Sequence, residues 1–163
     1  MPSPPFPAPR DRHLSLPLWS EISPYHYQGS LPPAGKLLES RGFGLLILAA
    51  IEHQLPGADF GAVEVLRVPL DDDYVTPLTP REVQMVRGAV MIASRRIAEK
   101  RRVLVTCAQG RNRSGLISAL MLMRYRSMNP REAIMTVQAA RHTALQNPQF
   151  IKAVLETKRA DLY

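Results

Sequence analysis

Three short apolar runs separated by helical patterns constrain the fold more than any other feature. Residues 44–50, 63–68 and 103–106 read as strands, and two of these runs are rich in valine, as strands covered on both faces should be. Between the second and third lies a long helical pattern over residues 80–100. Its start is marked by Thr79-Pro80-Arg81-Glu82: a threonine N-cap, proline at the first helical position and glutamate to close a capping box. Asn129-Pro130-Arg131-Glu132 repeats that chemistry before a helix reaching about residue 142. Another helix is expected over residues 114–128, and a last one after Pro148. Strands alternating with helices imply parallel pairing, so the expected fold is α/β, a central mostly parallel sheet flanked by helices. In such sheets ligands sit beyond the carboxyl ends of the strands, which points to Thr106 onward.

The 163 residues and 45% apolar content suffice for one core. Pro2, Pro4, Pro5, Pro7 and Pro9 predict an extended, mobile tail over residues 1–12, leaving a single domain over 13–163. Regular structure is expected to begin near residues 14–19, and residues 22–29 read as a short β segment closed by a glycine turn at Gly29. The only cysteine is Cys107, which excludes an internal disulfide and a multi-cysteine zinc site. His13, His26, His53 and His142 are not at ligand spacing, so no metal and no cofactor are expected. The longest apolar stretch, around residues 44–51, is far short of the roughly twenty residues that span a bilayer. With no secretory pattern at the N-terminus either, the expected location is cytoplasmic. Twenty-one Lys+Arg against fourteen Asp+Glu give a net charge of +7, which attracts phosphate groups, nucleic acid or acidic membrane without choosing among them. The basic run of Arg95, Arg96, Lys100, Arg101 and Arg102 suits a helix C-terminus.

The chemistry concentrates in Val103-Leu-Val-Thr-Cys107-Ala-Gln-Gly110-Arg-Asn-Arg113-Ser114-Gly115. A strand ends in a cysteine, a short loop follows, and a helix begins at its far side. A loop this tight, entering a helix, turns successive backbone N–H groups around a common centre, and the helix dipole adds positive potential. Gly110 supplies the backbone freedom such a curve needs. Arg113 can hold two oxygens of a tetrahedral dianion with its planar fork. The same field favours the ionised sulfur of Cys107. A lone cysteine closing a strand is more often an inert small hydrophobe. Here it is accompanied by Gly110, Arg111, Arg113 and Ser114, and an anion cradle with a thiolate at its floor is a nucleophile aimed at phosphorus.

Cys107-Ala-Gln-Gly-Arg-Asn-Arg113-Ser114 resembles the signature loop of cysteine-dependent protein tyrosine phosphatases, in particular the small dual-specificity group. Trp19-Ser-Glu-Ile-Ser-Pro-Tyr-His-Tyr-Gln-Gly-Ser30 is similar to the opening hairpin of those domains, and Val68-Pro-Leu-Asp-Asp-Asp73 to their acid-bearing loop. Arg141-His-Thr-Ala-Leu-Gln-Asn-Pro-Gln-Phe150 is similar to their terminal helix–turn–helix, so the resemblance covers essentially all but the tail. It implies that Cys107 attacks phosphorus to form a phosphocysteine. The amides of Ala108, Gln109, Gly110, Arg111, Asn112 and Arg113, with the Arg113 guanidinium, would hold the equatorial oxygens. Ser114 would hydrogen-bond the sulfur and help it leave, and Gly115 would let the helix pack closely on the loop.

An alkoxide or phenolate leaves poorly, so a general acid is also needed. Counted from Pro69 the family pattern selects Asp72; counted back from Pro77 it selects Asp73. Three adjacent acids repel, which raises the expectation of an elevated pKa at one of them. One departure is Thr106, where the family usually has histidine; its hydroxyl is expected to hydrogen-bond within the loop. Tyr74 is expected at the site entrance and Asn147 at a turn. The resemblance implies a phosphomonoester hydrolase with phosphoprotein substrates, acting on phosphotyrosine and on phosphoserine or phosphothreonine. RNA 5′-phosphates or phosphoinositides are the second reading, suggested by the net charge and by Arg111, and a catalytically weak phosphate-binding module is the third.

Overall fold

The computed structural model describes residues 16–163. The expected tail over residues 1–12, with His13, lies outside them. Five strands and five helices follow in the order β1 (Trp19–Ser23), β2 (His26–Gly29), α1 (Leu37–Ser40), β3 (Phe43–Ala50), β4 (Glu64–Leu70), α2 (Pro80–Ala98), β5 (Arg102–Thr106), α3 (Arg113–Tyr125), α4 (Pro130–Ala140) and α5 (Pro148–Glu156). The sheet order is β1-β2-β5-β3-β4. Only the β1–β2 hairpin is antiparallel; β5 lies parallel between β2 and β3, with Leu46 opposite Leu104 and Ile47 opposite Val105. The mostly parallel α/β sheet is thus the observed architecture.

Burial follows the strand period of two. Leu45, Ile47, Ala49, Val103 and Val105 join the core beneath α2–α5, whereas Leu46, Leu48 and Leu104 face a second cluster with Trp19, Tyr27, Leu38, Phe43 and Phe60. Each valine, leucine, isoleucine or phenylalanine among them contributes about 1.5–3 kcal/mol by leaving water. Helix α3 is buried at every position from Arg113 to Met123. A helix enclosed on all sides cannot tilt freely, so the loop before it runs from a central strand to a fixed helix. Both capping boxes form: the side chains of Thr79 and Asn129 accept from the amides of Glu82 and Glu132, and each glutamate returns the bond.

Two local expectations need correction. Gly29 does not make a turn. The hairpin reverses at Pro24–Tyr25, with Tyr25 at φ 67°, while Gly29 ends β2 where a Cβ would lie 2.2 Å from the Leu18 carbonyl oxygen. Helix α3 stops at Tyr125 rather than near Met128, because Ser127 takes the left-handed conformation ahead of the Asn129 cap. The basic run does end a helix, with Arg95 and Arg96 in the last turn of α2; Arg96 also grips Glu64 at 3.1 and 3.2 Å, and Arg101 and Arg102 donate to the carbonyls of Gly44 and Arg41.

Candidate active site

Strand β5 delivers Cys107, 3% exposed, to the carboxyl edge of the sheet, where its amide donates to the Gly29 carbonyl. The loop then curves through Gly110 at φ 67°, where a Cβ would meet the Gly29 carbonyl carbon at 2.4 Å, so glycine is required on both counts. Its carbonyls are held from outside. Gln28 and Arg141 donate to the Gly110 oxygen at 3.0 and 2.8 Å, Arg141 also reaches the Gln109 oxygen, and the Leu145 amide donates to the Arg111 oxygen. In a trans peptide the following N–H points opposite to the carbonyl. The amides of Gly110, Arg111 and Asn112 are therefore turned away from those anchors, as a cradle needs.

Arg113 opens α3 and is buried. Its Nη1 and Nη2 donate to the two carboxylate oxygens of Glu52 at 2.6 Å each, and Nη1 also donates to the Leu70 carbonyl. Burial works against its charge. The Glu52 bond, the Cys107 sulfur, the Glu52 charge and Asp72 outweigh that and hold its pKa above the ordinary value. The same hydrogen bond lowers the Glu52 carboxyl to about 2. These contacts use the outer end of the guanidinium and leave the Nε–H, buried and without a partner, beside the second Nη2 hydrogen. That edge is a second fork. The Cys107 sulfur lies 3.2 Å from the Ser114 hydroxyl, its observed hydrogen-bond partner.

The structure separates the two candidate acids. Asp72 accepts from Asn112 Nδ2 at 3.0 Å and from Asn147 Nδ2 at 2.8 Å. With Cys107, Arg113, Tyr74, Gln109, Arg111, Asn112, Thr143 and Gln146 it lines a cavity of ≈ 100 Å³. Asp73 is not brought there: its carboxylate accepts from the amides of Val75 and Thr76, closing a turn. Bonds from Thr76 and Val75 lower its pKa, opposite to the elevation expected from crowded acids. Tyr74 does reach the cavity, with its hydroxyl accepting from Asn112.

Thr106 departs from expectation, since its hydroxyl donates to the Ile47 carbonyl of β3 and not within the loop. Gly115 packs against Leu145 instead of the loop itself; a Cβ there would lie 2.9 Å from the Leu145 side chain. Asn147 does more than close a turn, because it caps α5 through the Gln149 amide while holding Asp72 and the Asp73 carbonyl. Glu52 and the anchoring by Gln28 and Arg141 were missed. Glu52 follows the carboxyl end of β3, and the rule that sites lie beyond strand ends could have found it. Among the described residues no group of three His, Cys, Asp or Glu side chains could hold a metal ion, and no helix is long and apolar enough to cross a membrane.

A thiol at the carboxyl edge of a mostly parallel sheet, on a loop anchored through its carbonyls and beside one buried guanidinium, is the arrangement this fold presents. The chain belongs to the dual specificity phosphatase family, whose model "Dual specificity phosphatase, catalytic domain" matches residues 27–160. It is 30% identical over 129 residues to human dual specificity phosphatase 28, covering 79% of this chain and 71% of that protein. Among solved structures it is similar to a mouse putative dual specificity phosphatase complexed with zinc tungstate, with 25% identity, a TM-score of 0.74 and coverage of 94% and 96% of the two chains. It also shares the fold of PTPMT1 in complex with PI(5)P, at 21% identity and TM-score 0.73, covering 85% of this chain and 93% of that one.

Proposed function

We propose that this protein hydrolyses phosphomonoesters on proteins, at phosphotyrosine and at phosphoserine or phosphothreonine, through a phosphocysteine intermediate. The observation that carries this reading is the convergence of Cys107, Arg113 and Asp72 on one cavity from three separate elements. The Cys107 sulfur attacks phosphorus as the ester P–O bond breaks, and Asp72 delivers a proton to the departing oxygen. The equatorial oxygens are held by the loop amides of Ala108 through Arg113 and by the Nε–Nη2 edge of Arg113, whose far end Glu52 fixes. Water then attacks the phosphocysteine, Asp72 takes its proton, and the sulfur departs with the Ser114 hydroxyl as its hydrogen-bond partner.

Asp72 is chosen over Asp73 because only Asp72 lines the cavity. The polar lining by Gln109, Arg111, Thr143 and Gln146 supports reading both kinds of phosphorylated side chain as substrates, and a nucleophilic thiol that must stay reduced supports a cytoplasmic location. The test is turnover of phosphotyrosine and phosphothreonine peptides beside 5′-triphosphorylated RNA and an inositol phospholipid. Hydrolysis of both peptides by the native protein, absent from Cys107→Ser, is the expected result. Turnover of RNA or lipid alone, or turnover surviving Cys107→Ser, would overturn the reading.

A further inference from the structure

The end of the sheet opposite the catalytic loop gathers positive charge that the fold leaves unanswered. Strand β5 ends at Thr106, just before Cys107, and begins at Arg102. The amino ends of β2, β3 and β5 lie side by side there, with His26 opposite Val103 and Phe43 opposite Arg102. The turns leading into them surround a cavity of ≈ 420 Å³, within the size range of small-molecule sites. Arg41, Lys100, Arg101 and Arg102 line it, and no carboxylate does. Lys100, Arg101 and Arg102 make no ion pair among the described residues. Glu99 beside them is taken by Arg96 at 3.6 Å, and Arg95 and Arg96 answer the negative end of α2 from within its last turn.

Two of the guanidiniums are held in place by neutral acceptors. Arg101 Nη2 donates to the Gly44 carbonyl at 3.3 Å, and Arg102 Nη1 donates to the Arg41 carbonyl at 2.7 Å. Bonds to carbonyls aim a cation without cancelling its charge. Gly44, itself part of the lining, makes the room: a Cβ there would lie 2.9 Å from Arg101 Nε. Helix α2 stops in a Schellman arrangement, with the amides of Lys100 and Arg101 donating to the Ile97 and Arg96 carbonyls and Lys100 at φ 59°. That left-handed position favours glycine, so the turn does not call for lysine. What lysine adds there is its charge.

We propose that this cavity is a second anion site, remote from the catalytic cradle, for a compact polyphosphate: two or more phosphate groups on one small polar scaffold. The proposal goes beyond the phosphohydrolase reading and stands independently of it. Like charges gathered around one cavity repel, and a ligand with several negative charges turns that repulsion into attraction. Planar guanidinium forks and a lysine ammonium are the donors that phosphate oxygens take. Charge density selects phosphate over carboxylate, because a phosphate monoester brings close to two charges where a carboxylate brings one. A nucleic acid would call for several stacking aromatics, and Tyr25 is the one aromatic in the lining. A membrane surface would call for an apolar side chain to enter it, and none of the exposed large hydrophobic residues lines this cavity.

The test titrates inositol hexakisphosphate into Cys107→Ser protein by calorimetry, with amide chemical shifts locating the probe. Binding is expected to move the amides of Gly42, Gly44 and residues 100–103 and to weaken as salt is raised. Lys100→Gly should weaken it roughly tenfold without lowering the melting temperature, since glycine suits φ 59°. Adding Arg101→Gln should remove it. Absence of binding, shifts confined to residues 107–114, or native affinity in Lys100→Gly would overturn the site. Tighter binding of RNA or of polyglutamate than of the probe would overturn the polyphosphate assignment. Sedimentation with phosphatidylcholine vesicles, with and without an inositol bisphosphate lipid, separates two sources of the same chemistry. Pelleting that needs this lipid and is reversed by the free probe supports the site with a lipid headgroup as its ligand. Binding of the free probe without pelleting supports it with a soluble one. Neither readout involves turnover, so the hydrolase reading and this site fail separately.

Discussion

Replacing Glu52 with glutamine keeps the shape of the side chain and removes the charge that holds Arg113. The native contact is a fork-on-fork pair with both bonds at 2.6 Å, one partner 6% exposed and the other 44%. Two charge-assisted bonds would be worth about 3 kcal/mol or more in a dry site, but the exposed side of Glu52 is screened by water, which brings the positioning energy to about 1 kcal/mol. At about 1.4 kcal/mol per tenfold, that is roughly a fivefold loss in kcat/KM for a phosphopeptide. The loss should fall on kcat/KM and on inhibition by inorganic phosphate together, because the Nε–Nη2 edge of Arg113 is what Glu52 aims. The pH dependence is also fixed. A folded pKa of about 2, below the ordinary carboxylate value, means the pair is intact above pH 4.5 and is lost only as pH falls from there through about 2. The acidic limb of the rate profile therefore does not come from Glu52. Steady-state kinetics of native and Glu52→Gln protein between pH 5 and 8 test this. An unchanged kcat/KM, or a limb that moves with Glu52→Gln, would refute the reasoning.

The two aspartates should separate cleanly: Asp72→Ala is expected to lower kcat about a hundredfold for poor leaving groups and to flatten the pH profile, whereas Asp73→Ala leaves the profile's shape intact. The reverse pattern would shift the acid by one residue. Gly110→Ala puts a Cβ 2.4 Å from the Gly29 backbone at φ 67°, so thermal melting should show a loss of about 2 kcal/mol or more, with kcat/KM falling with it. His26 is fully buried between the Tyr125 and Ser118 hydroxyls, and burial lowers its pKa to about 3. Its contribution is present above pH 6.5 and is lost as pH falls toward 3, amounting to about 2 kcal/mol at pH 5. Denaturant titrations at pH 7 and 5 should show that slope in native protein and not in His26→Gln; an equal slope in both would contradict it.

The sheet and the longer helices were legible because their signals are local. Short apolar runs and the capping boxes at Thr79 and Asn129 need no knowledge of the rest of the chain. The loop from Cys107 to Ser114 was legible for the same reason, as one contiguous segment with glycine and arginine in fixed places. What the residues alone could not separate was Asp72 from Asp73, since one step along an exposed loop reverses which carboxylate faces the cavity. Long-range partners were hidden too. Glu52 sits 61 positions from Arg113, and Asn147 sits 75 from Asp72, so only the assembled fold pairs them. Thr106 misled for a related reason, because its hydroxyl had a backbone acceptor waiting on the neighbouring strand.

Rapid quenching of the protein with a ³²P-labelled phosphopeptide reads the central claim most directly, using Ser114→Ala to slow the sulfur's departure. Label should appear on Cys107 in near-stoichiometric amount, with none on Cys107→Ser. A chain that turns over the peptide while leaving Cys107 unlabelled at every quench time would contradict it.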